Sequence, residues 1–322
     1  MKLLVFSLLC LLTDARPNVV GWYVSSGEDN NYPIERIKWD IYTHIHYSTP
    51  IVTSNGTASC NSSDYFLKKL TDIAHKNGGK IQWGLGIDNF YSALSNEDII
   101  LQNYLNSINK AVTDCNVDGV EIDYEYNDSP LTKWGIVTPE RSTRYTMFLA
   151  NLKKKLGPAR VVSVDVGIWG FGEGEWILGV LPWINVTMLN NGDFDFINTM
   201  SYHWSRFGDI WAWKKDGFFI DSWGLDPKRV NIGIPYFSEI FWKKTFSEPI
   251  WKTFSVKCPN IDPNENVCND IVFVGKEMNY KIGKWIKDKG FGGAFPWAMN
   301  YDTLEYNNSL VEWLYKGLNE SL

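Results

Sequence analysis

The chain has 322 residues, of which 44% are hydrophobic and 21% charged, and its formal net charge at pH 7 is -6. This length is enough to bury the core of one large α/β domain, since a barrel of βα units typically takes ~250 residues. The acidic balance argues against nucleic acids and anionic membrane surfaces as partners, because both repel a negatively charged protein.

The N-terminus has the layout of a secretory signal peptide. Lys2 precedes an apolar run from Leu3 to Leu12, and cleavage is expected after Ala15. The run is shorter than the ~20 apolar residues of a membrane span, and no later stretch approaches that length. We therefore predict that residues 1–15 are removed, and that residues 16–322 form one domain of a secreted, monomeric protein.

Short apolar runs alternate with longer amphipathic stretches, which is typical of βα units around a parallel sheet. The predicted strands are residues 19–23, 43–47, 80–86, 118–125, 161–166, 196–202, 230–236 and 292–297. Helices are predicted over residues 65–76, 99–113 and 141–156, among others. Eight strands predict an α/β fold, a (β/α)8 TIM barrel whose active site lies at the C-terminal ends of the strands. Residues 237–289 are long for one helix and predict a short insertion between strands seven and eight.

The fourth predicted strand carries an acidic side chain at every second position. Because alternate side chains of a strand share a face, Glu121, Asp123 and Glu125 would project together, away from Val120 and Ile122. Carboxylates on one face repel each other and resist burial. A solvated edge strand is the alternative, but we interpret the pattern as a catalytic carboxylate cluster.

This segment resembles the Asp-Gly-x-Asp-x-Asp-x-Glu signature of glycoside hydrolase family 18, the chitinases and their relatives. Four positions match, namely Asp118, Gly119, Asp123 and Glu125. Predicted strands one, two, three, six, seven and eight resemble family segments in the same order, including the Met-x-Tyr of Met200 and Tyr202. The resemblance implies a TIM barrel that hydrolyses chitin or N-acetylglucosamine oligosaccharides, with no cofactor and no metal ion.

The resemblance also implies a role for each candidate residue. Glu125 would be the general acid and then the base that activates water, while Asp123 would hold the N–H of the substrate's 2-acetamido group. The carbonyl oxygen of that group would attack the anomeric carbon, so the reaction is substrate-assisted and retaining. Tyr202 would donate its hydroxyl to the same group. The further substrate-binding candidates are Tyr23, Glu121, Met200, His203 and Trp297.

Both aromatic candidates have a structural alternative. Tyr202 could be a barrel tyrosine that binds a backbone carbonyl, and Trp297 could simply pack in the core instead of forming the floor under the sugar ring. The chain has 16 tryptophans, and sugar C–H faces stack on aromatic planes. We expect platforms in the loops after strands five and six, at Trp169, Trp204, Trp211 and Trp213. On helices, Trp285 and Trp313 are expected in the core.

Some residues depart from the family pattern. Glu121 is one methylene longer than the usual Asp, His203 stands where Asp or Asn is common, and Gly84 and Ile87 alter a Ser-x-Gly-Gly segment. Two alternatives to a chitinase stay open, the first because of Glu121 and His203 and the second because the same acetamido mechanism serves it. One is a non-catalytic chitin-binding lectin on the same barrel. The other is an endo-β-N-acetylglucosaminidase that acts on N-linked glycans.

The histidines and cysteines of the chain are candidate metal ligands. His44 and His46 alternate on strand two, but no acidic residue is near in sequence, so we expect buried polar residues. Once Cys10 leaves with the signal peptide, four cysteines allow three pairings. Cys258 with Cys268 would close a short loop rich in Pro and Asn and is favoured, which leaves Cys60 with Cys115 by elimination.

Six Asn-x-Ser/Thr sequons suggest a eukaryotic glycoprotein. They begin at Asn55, Asn61, Asn127, Asn185, Asn307 and Asn319. We expect Asn127 to carry no glycan, because it lies two residues beyond Glu125 and a glycan there would crowd the site.

Overall fold

A closed barrel of eight parallel strands forms the centre of the molecule. The structure is a computed structural model, and it describes residues 16–24, 32–47, 51–52, 55–61, 63–86, 98–123, 139–167, 184–202, 208–241, 245–304 and 309–320. The barrel strands are β1 (Asn18–Tyr23), β2 (His44–Tyr47), β3 (Lys80–Gly86), β4 (Gly119–Asp123), β5 (Val161–Val166), β6 (Phe196–Thr199), β7 (Val230–Pro235) and β8 (Gly293–Trp297). Each strand pairs with its successor in the chain, and β8 closes onto β1. The predicted TIM barrel is confirmed.

Helices surround the barrel and alternate with its strands. They are α1 (Tyr65–Lys76), α2 (Asp98–Asp114), α3 (Pro139–Leu156), α4 (Val186–Asn191), α5 (Ile210–Ser222), α6 (Lys276–Lys289) and α7 (Leu310–Asn319). Helix α1 begins at its predicted residue because the Asp64 carboxylate accepts the N–H groups of Phe66 and Leu67. Of the described helices, none is long and apolar enough to cross a membrane.

Alternate side chains of each strand pack in two separate cores, one between the strands and the helices and one inside the barrel. Outward residues such as Val120 and Ile122 are fully buried against the helices, as predicted. A smaller apolar cluster fills part of the barrel interior, and it consists of Val20, Trp22, Val161, Phe196 and Phe295. Other inward positions of β4 to β7 carry polar side chains, namely Glu121, Asp123, Ser163, Asp165, Asn198 and Asn231, so the strand period of two delivers these groups to one lumen.

The close packing of neighbouring strands explains the glycine of the acidic motif. A Cβ atom at Gly119 would lie 2.0 Å from the carbonyl oxygen of Val161, on the adjacent strand β5. Any other residue at this position would push β4 away from β5 and displace the carboxylates that follow it.

The predicted insertion between β7 and β8 contains a four-stranded antiparallel sheet. Its strands are Phe237–Ile240, Thr245–Pro249, Val267–Cys268 and Ile271–Val272, and the helical segment Ile250–Lys252 and Thr253–Lys257 joins the second to the third. Cys258 bonds Cys268 inside this insertion. Cys60 bonds Cys115, which ties the short hairpin after β2, with strands Ile51–Val52 and Ala58–Ser59, to the end of α2. Both predicted pairings are confirmed.

The four sequons in described segments differ in accessibility. Asn55, Asn61 and Asn319 are exposed. Asn185 is half-buried, and its side-chain oxygen accepts the N–H of Met188 at the start of α4. The sequons at 127 and 307 lie outside the described residues.

Candidate active site

The acidic strand β4 projects its carboxylates into the barrel. Glu121 is completely buried, whereas Asp123, two residues closer to the C-terminal end of the strand, is half-buried. The predicted common face of these two residues is therefore observed. Glu125 lies outside the described residues, so its place in the site stays a prediction.

A carboxylate that the sequence analysis missed lies beside Glu121. Asp165 projects inward from β5, is only 3% exposed, and stands opposite Asp123 in the strand register. Its backbone N–H donates to Glu121 Oε1 at 3.0 Å. The sequence did indicate an inward carboxylate here, because Asp165 is an acidic residue in an otherwise apolar strand and alternates with Ser163.

Side-chain amides orient Asp165 from the other side. Asn198 on β6 donates its Nδ2 to Asp165 Oδ1 at 2.9 Å, and Asn231 on β7 donates to Asn198 Oδ1 at 2.9 Å. Asn18 at the start of β1 donates to Asn231 Oδ1 at 3.5 Å. Because an ionised carboxylate can only accept hydrogen bonds, the side-chain amides of this series all donate their hydrogen bonds in one direction, toward Asp165.

Burial controls the protonation of this interior. The pKa of Glu121 is raised well above its usual range, first by burial and then by the negative charges of Asp165 and Asp123. Burial, followed by the neighbouring His44, lowers the pKa of His46 to about 3. Burial therefore favours the neutral form of Glu121, and His46 is uncharged near neutral pH. The arrangement keeps the buried lumen from collecting several negative charges at once.

Aromatic side chains form a wall at the same end of the barrel. Tyr202, just after β6, and Trp297, the last residue of β8, are both half-buried with ring centroids 6.1 Å apart. Phe237 packs edge-on against Trp297 at 5.4 Å, and Tyr301 does so at 5.5 Å. The peptide bond from Trp297 to Ala298 is cis. Trp297 keeps part of its surface open, as a floor under a sugar ring requires.

The structure does not bring Tyr23 together with these residues. Its side chain is 1% exposed on the outer face of β1, packs against Phe66 of α1, and donates its hydroxyl to the carbonyl of Tyr32 at 2.7 Å. The preceding residue, Trp22, points into the barrel instead. A Cβ atom at Gly84 would lie 2.9 Å from the Trp22 ring, so the indole occupies the space that a Ser would need at position 84.

The remaining predicted site residues have different positions. Met200 lies directly after β6 and is half-buried. Position 203, with its histidine, lies outside the described residues, as do the tryptophans at 169 and 204. Trp211 and Trp213 belong to α5, not to a loop, which corrects the prediction. Trp213 is fully buried and donates its indole N–H to the carbonyl of Gly233, so it is a core residue.

The remaining predictions for tryptophan and histidine residues are that their side chains are buried. Trp285 is buried as expected, whereas Trp313 is half-buried with the Lys316 amine 4.8 Å from its ring centre. His44 and His46 are both buried inside the barrel, as expected. Donor atoms of His46, Glu121 and Asp165 nevertheless lie within 4.8 Å of one another, so closure of the barrel supplies the acidic partners that the sequence did not show.

Comparison with known proteins identifies similar folds. The family model described as Glycosyl hydrolases family 18 matches residues 18–302. A chitinase from Bacteroides thetaiotaomicron is 17% identical over 95% of this chain and 98% of its own, with a TM-score of 0.76. The Rhizomucor miehei chitinase RmChi1 is 18% identical over 93% of this chain and 99% of its own, with a TM-score of 0.68.

A third similar structure contains a ligand. It is a mutant of catalytic domain 2 of the Ostrinia furnacalis Group II chitinase, in complex with penta-N-acetylchitooctaose, (NAG)5. It is 16% identical over 95% of this chain and 97% of its own, with a TM-score of 0.71. At such identities the likeness shows a shared fold. No curated protein sequence matches the chain.

Proposed function

Because the chain belongs to glycosyl hydrolase family 18, we propose that it is a secreted chitinase that hydrolyses β-1,4-linked N-acetylglucosamine polymers. Chitin or its oligosaccharides are the proposed partners, and the enzyme acts as a monomer. The complex of a related chitinase domain with (NAG)5 supports this substrate class. The apolar run at residues 3–12 supports secretion.

The gradient of burial along β4 is the observation that carries the proposal. Asp123 opens toward the C-terminal end of the barrel, where the aromatic wall of Tyr202 and Trp297 stands, while Glu121 lies sealed beneath it. Active sites of this fold lie at that end. An acetamido sugar held on Trp297 would present its polar substituent to the carboxylates of β4.

In the proposed mechanism, Glu125 and Asp123 each act in two successive steps. Glu125 protonates the leaving oxygen, and Asp123 holds the acetamido N–H so that the carbonyl oxygen attacks the anomeric carbon. The ionised Asp123 then stabilises the cationic oxazolinium. Glu121 contributes no charge while it is protonated, which limits the repulsion that Asp123 experiences from below. Glu125 next acts as the base for water.

Cleavage of a defined oligosaccharide tests the proposal. We would incubate the purified protein with the N-acetylglucosamine hexamer and follow the products by mass spectrometry, beside Glu125→Gln and a surface control, Glu277→Gln on α6. Wild type and Glu277→Gln are expected to cleave, and Glu125→Gln is expected to lose at least ~100-fold in rate, as befits a missing general acid. A folded wild type that leaves the hexamer intact contradicts the proposal.

One observation favours the lectin as a second candidate. The Glu121 carboxyl is engaged by the backbone of Asp165, and a longer side chain in this packed interior is able to displace Asp123. Hexamer binding by calorimetry, without cleavage by wild type, would identify the lectin. Release of glycans from a denatured glycoprotein, without chitin cleavage, would identify the endo-β-N-acetylglucosaminidase.

A further inference from the structure

Three potential metal ligands meet inside the barrel, beneath Asp123. His46 comes from β2, Glu121 from β4 and Asp165 from β5, and we call them the interior cluster. One donor atom of each lies within 4.8 Å of the other two. Their exposed fractions are 0%, 0% and 3%, so bulk water does not solvate them.

The interior cluster contains buried polar atoms that lack a hydrogen bond of normal geometry. Within the described residues, no such bond reaches either ring nitrogen of His46 or the Oε2 atom of Glu121, although Gln82 lies beside His46 and Asp165 beside Glu121. The amide oxygen of Gln82, next to His46 in the strand register, also has no hydrogen bond of normal geometry. A buried polar group left unsatisfied destabilises a fold by about 1–3 kcal/mol. One ring nitrogen of His46 and the Glu121 carboxylate have lone pairs that a single cation would accept together with one from Asp165.

The groups around the cluster hold the donors in place. Asn198 Nδ2 fixes Asp165 at 2.9 Å, and Gln82 donates its Nε2 to Ser163 Oγ at 2.7 Å. The His46 ring is held between Trp22, at 5.6 Å, and Phe295, at 5.7 Å. Outer-shell contacts of this kind orient ligands in metal sites.

We propose that His46, Glu121 and Asp165 bind one divalent transition-metal ion, with Zn²⁺ as the best-suited probe. Zn²⁺ accepts imidazole nitrogen together with carboxylate oxygen, and three protein ligands leave a fourth position for water. Two ionised carboxylates neutralise the charge of the ion, which lowers the free-energy cost of burying the ion with its ligands. The cation replaces the proton that the two carboxyls hold without it. This site does not depend on the proposed chitinase activity.

Metal binding to the full-length chain tests the site directly. We would strip the purified protein with EDTA, then measure Zn²⁺ uptake by calorimetry and the bound metal by mass spectrometry. Wild type is expected to take up one equivalent and to unfold at a higher temperature. His46→Gln is expected to lose more affinity than the roughly 10–100-fold that an outer-shell substitution costs.

His44→Gln is the matched control, because His44 is also buried on β2 but contacts Thr43 and Phe196 instead of the cluster. It should bind Zn²⁺ as wild type does. If His46→Gln does not fold, the isosteric Asp165→Asn replaces it, with the same loss expected. Absence of uptake by wild type, which would leave a proton-sharing cluster, overturns the proposal. So does unchanged affinity in the folded His46→Gln or Asp165→Asn protein.

Discussion

At the scale of single residues, the side chain of Glu121 reaches the backbone of Asp165 on the neighbouring strand. The family signature has Asp at this position, one methylene shorter. Asp165 is in turn held by Asn198, so the longer acid fits into a network that spans β4 to β7. The departure from the signature is thus accompanied by specific contacts on the adjacent strands.

Two substitutions of Glu121 separate its charge from its packing. Because burial and the nearby carboxylates raise the pKa of Glu121 and so favour its neutral form, Glu121→Gln should change the free energy of unfolding by less than ~1.5 kcal/mol. Glu121→Ala leaves a cavity and an unpaired Asp165 N–H, so it should cost about 2–5 kcal/mol. Chemical denaturation in EDTA measures both values. Equal losses in the two variants would show that Glu121 is ionised in the fold.

At the scale of elements, strand β4 depends on its first residue. An added Cβ at Gly119 would contact the backbone of Val161, which cannot rotate away. Gly119→Ala should therefore destabilise the protein by about 3 kcal/mol, the upper end of overpacking costs, or prevent folding.

Gly208→Ala is the control for this substitution. Its Cβ would meet the side chain of Asn266 at 3.1 Å, so a loss within ~0.5 kcal/mol is expected at this exposed position. Denaturant midpoints and the yield of soluble protein report the difference. Similar stability of the two variants would argue against strain between β4 and β5.

Helix α7 is anchored by a buried acid. Asp302 Oδ1 accepts the N–H groups of Thr303 and Leu310, and its Oδ2 accepts the N–H of Val311 and the hydroxyl of Ser309. Burial raises the pKa of Asp302 to about 6, and these backbone donors and Lys38 oppose the shift. The folded state therefore holds a proton on Asp302 at pH values where the unfolded chain has released it.

The sign of the pH effect follows from that shift. Between the usual carboxyl pKa and about 6, the folded state binds more protons, so the Asp302 contribution is greatest at low pH and is lost as pH rises. Relative to Asp302→Asn, wild type should gain up to about 3 kcal/mol of unfolding free energy from pH 7 to pH 4. Urea denaturation across this range measures the gain. Parallel pH profiles would contradict the raised pKa.

At the scale of the whole molecule, two disulfides constrain loops of different length. Cys60 and Cys115 are 55 residues apart and join the hairpin after β2 to the end of α2. Cys258 and Cys268 are 10 residues apart and close a loop inside the insertion. The longer loop removes more freedom from the unfolded chain.

Loss of the two bridges should therefore have unequal effects. In the chain-entropy account, removing Cys60–Cys115 costs about 4 kcal/mol and removing Cys258–Cys268 about 3 kcal/mol. Paired Cys→Ser variants, compared by denaturant unfolding, test this order. A larger loss from the bridge in the insertion would indicate that native contacts, and not loop entropy, dominate.

The sequence by itself determined the barrel, its eight strands, the acidic face of β4 and both disulfides. The strands and the acidic face follow from local patterns, because an extended chain places alternate residues on opposite faces wherever it lies. The disulfides follow from the short spacing of Cys258 and Cys268, which leaves Cys60 and Cys115 as the other pair. The pattern does not reveal which face turns inward or which strands become neighbours. Only closure of the barrel decided that Trp22, and not Tyr23, enters the lumen.

The same limit applies to the candidate site and its surroundings. Trp213 entered the core because α5 begins at Ile210 and packs on β7, which its own sequence did not reveal. Asp165 and His46 meet Glu121 although they lie 44 and 75 positions from it in the sequence. Such contacts depend on strand order and register across the barrel, which are properties of the tertiary structure alone.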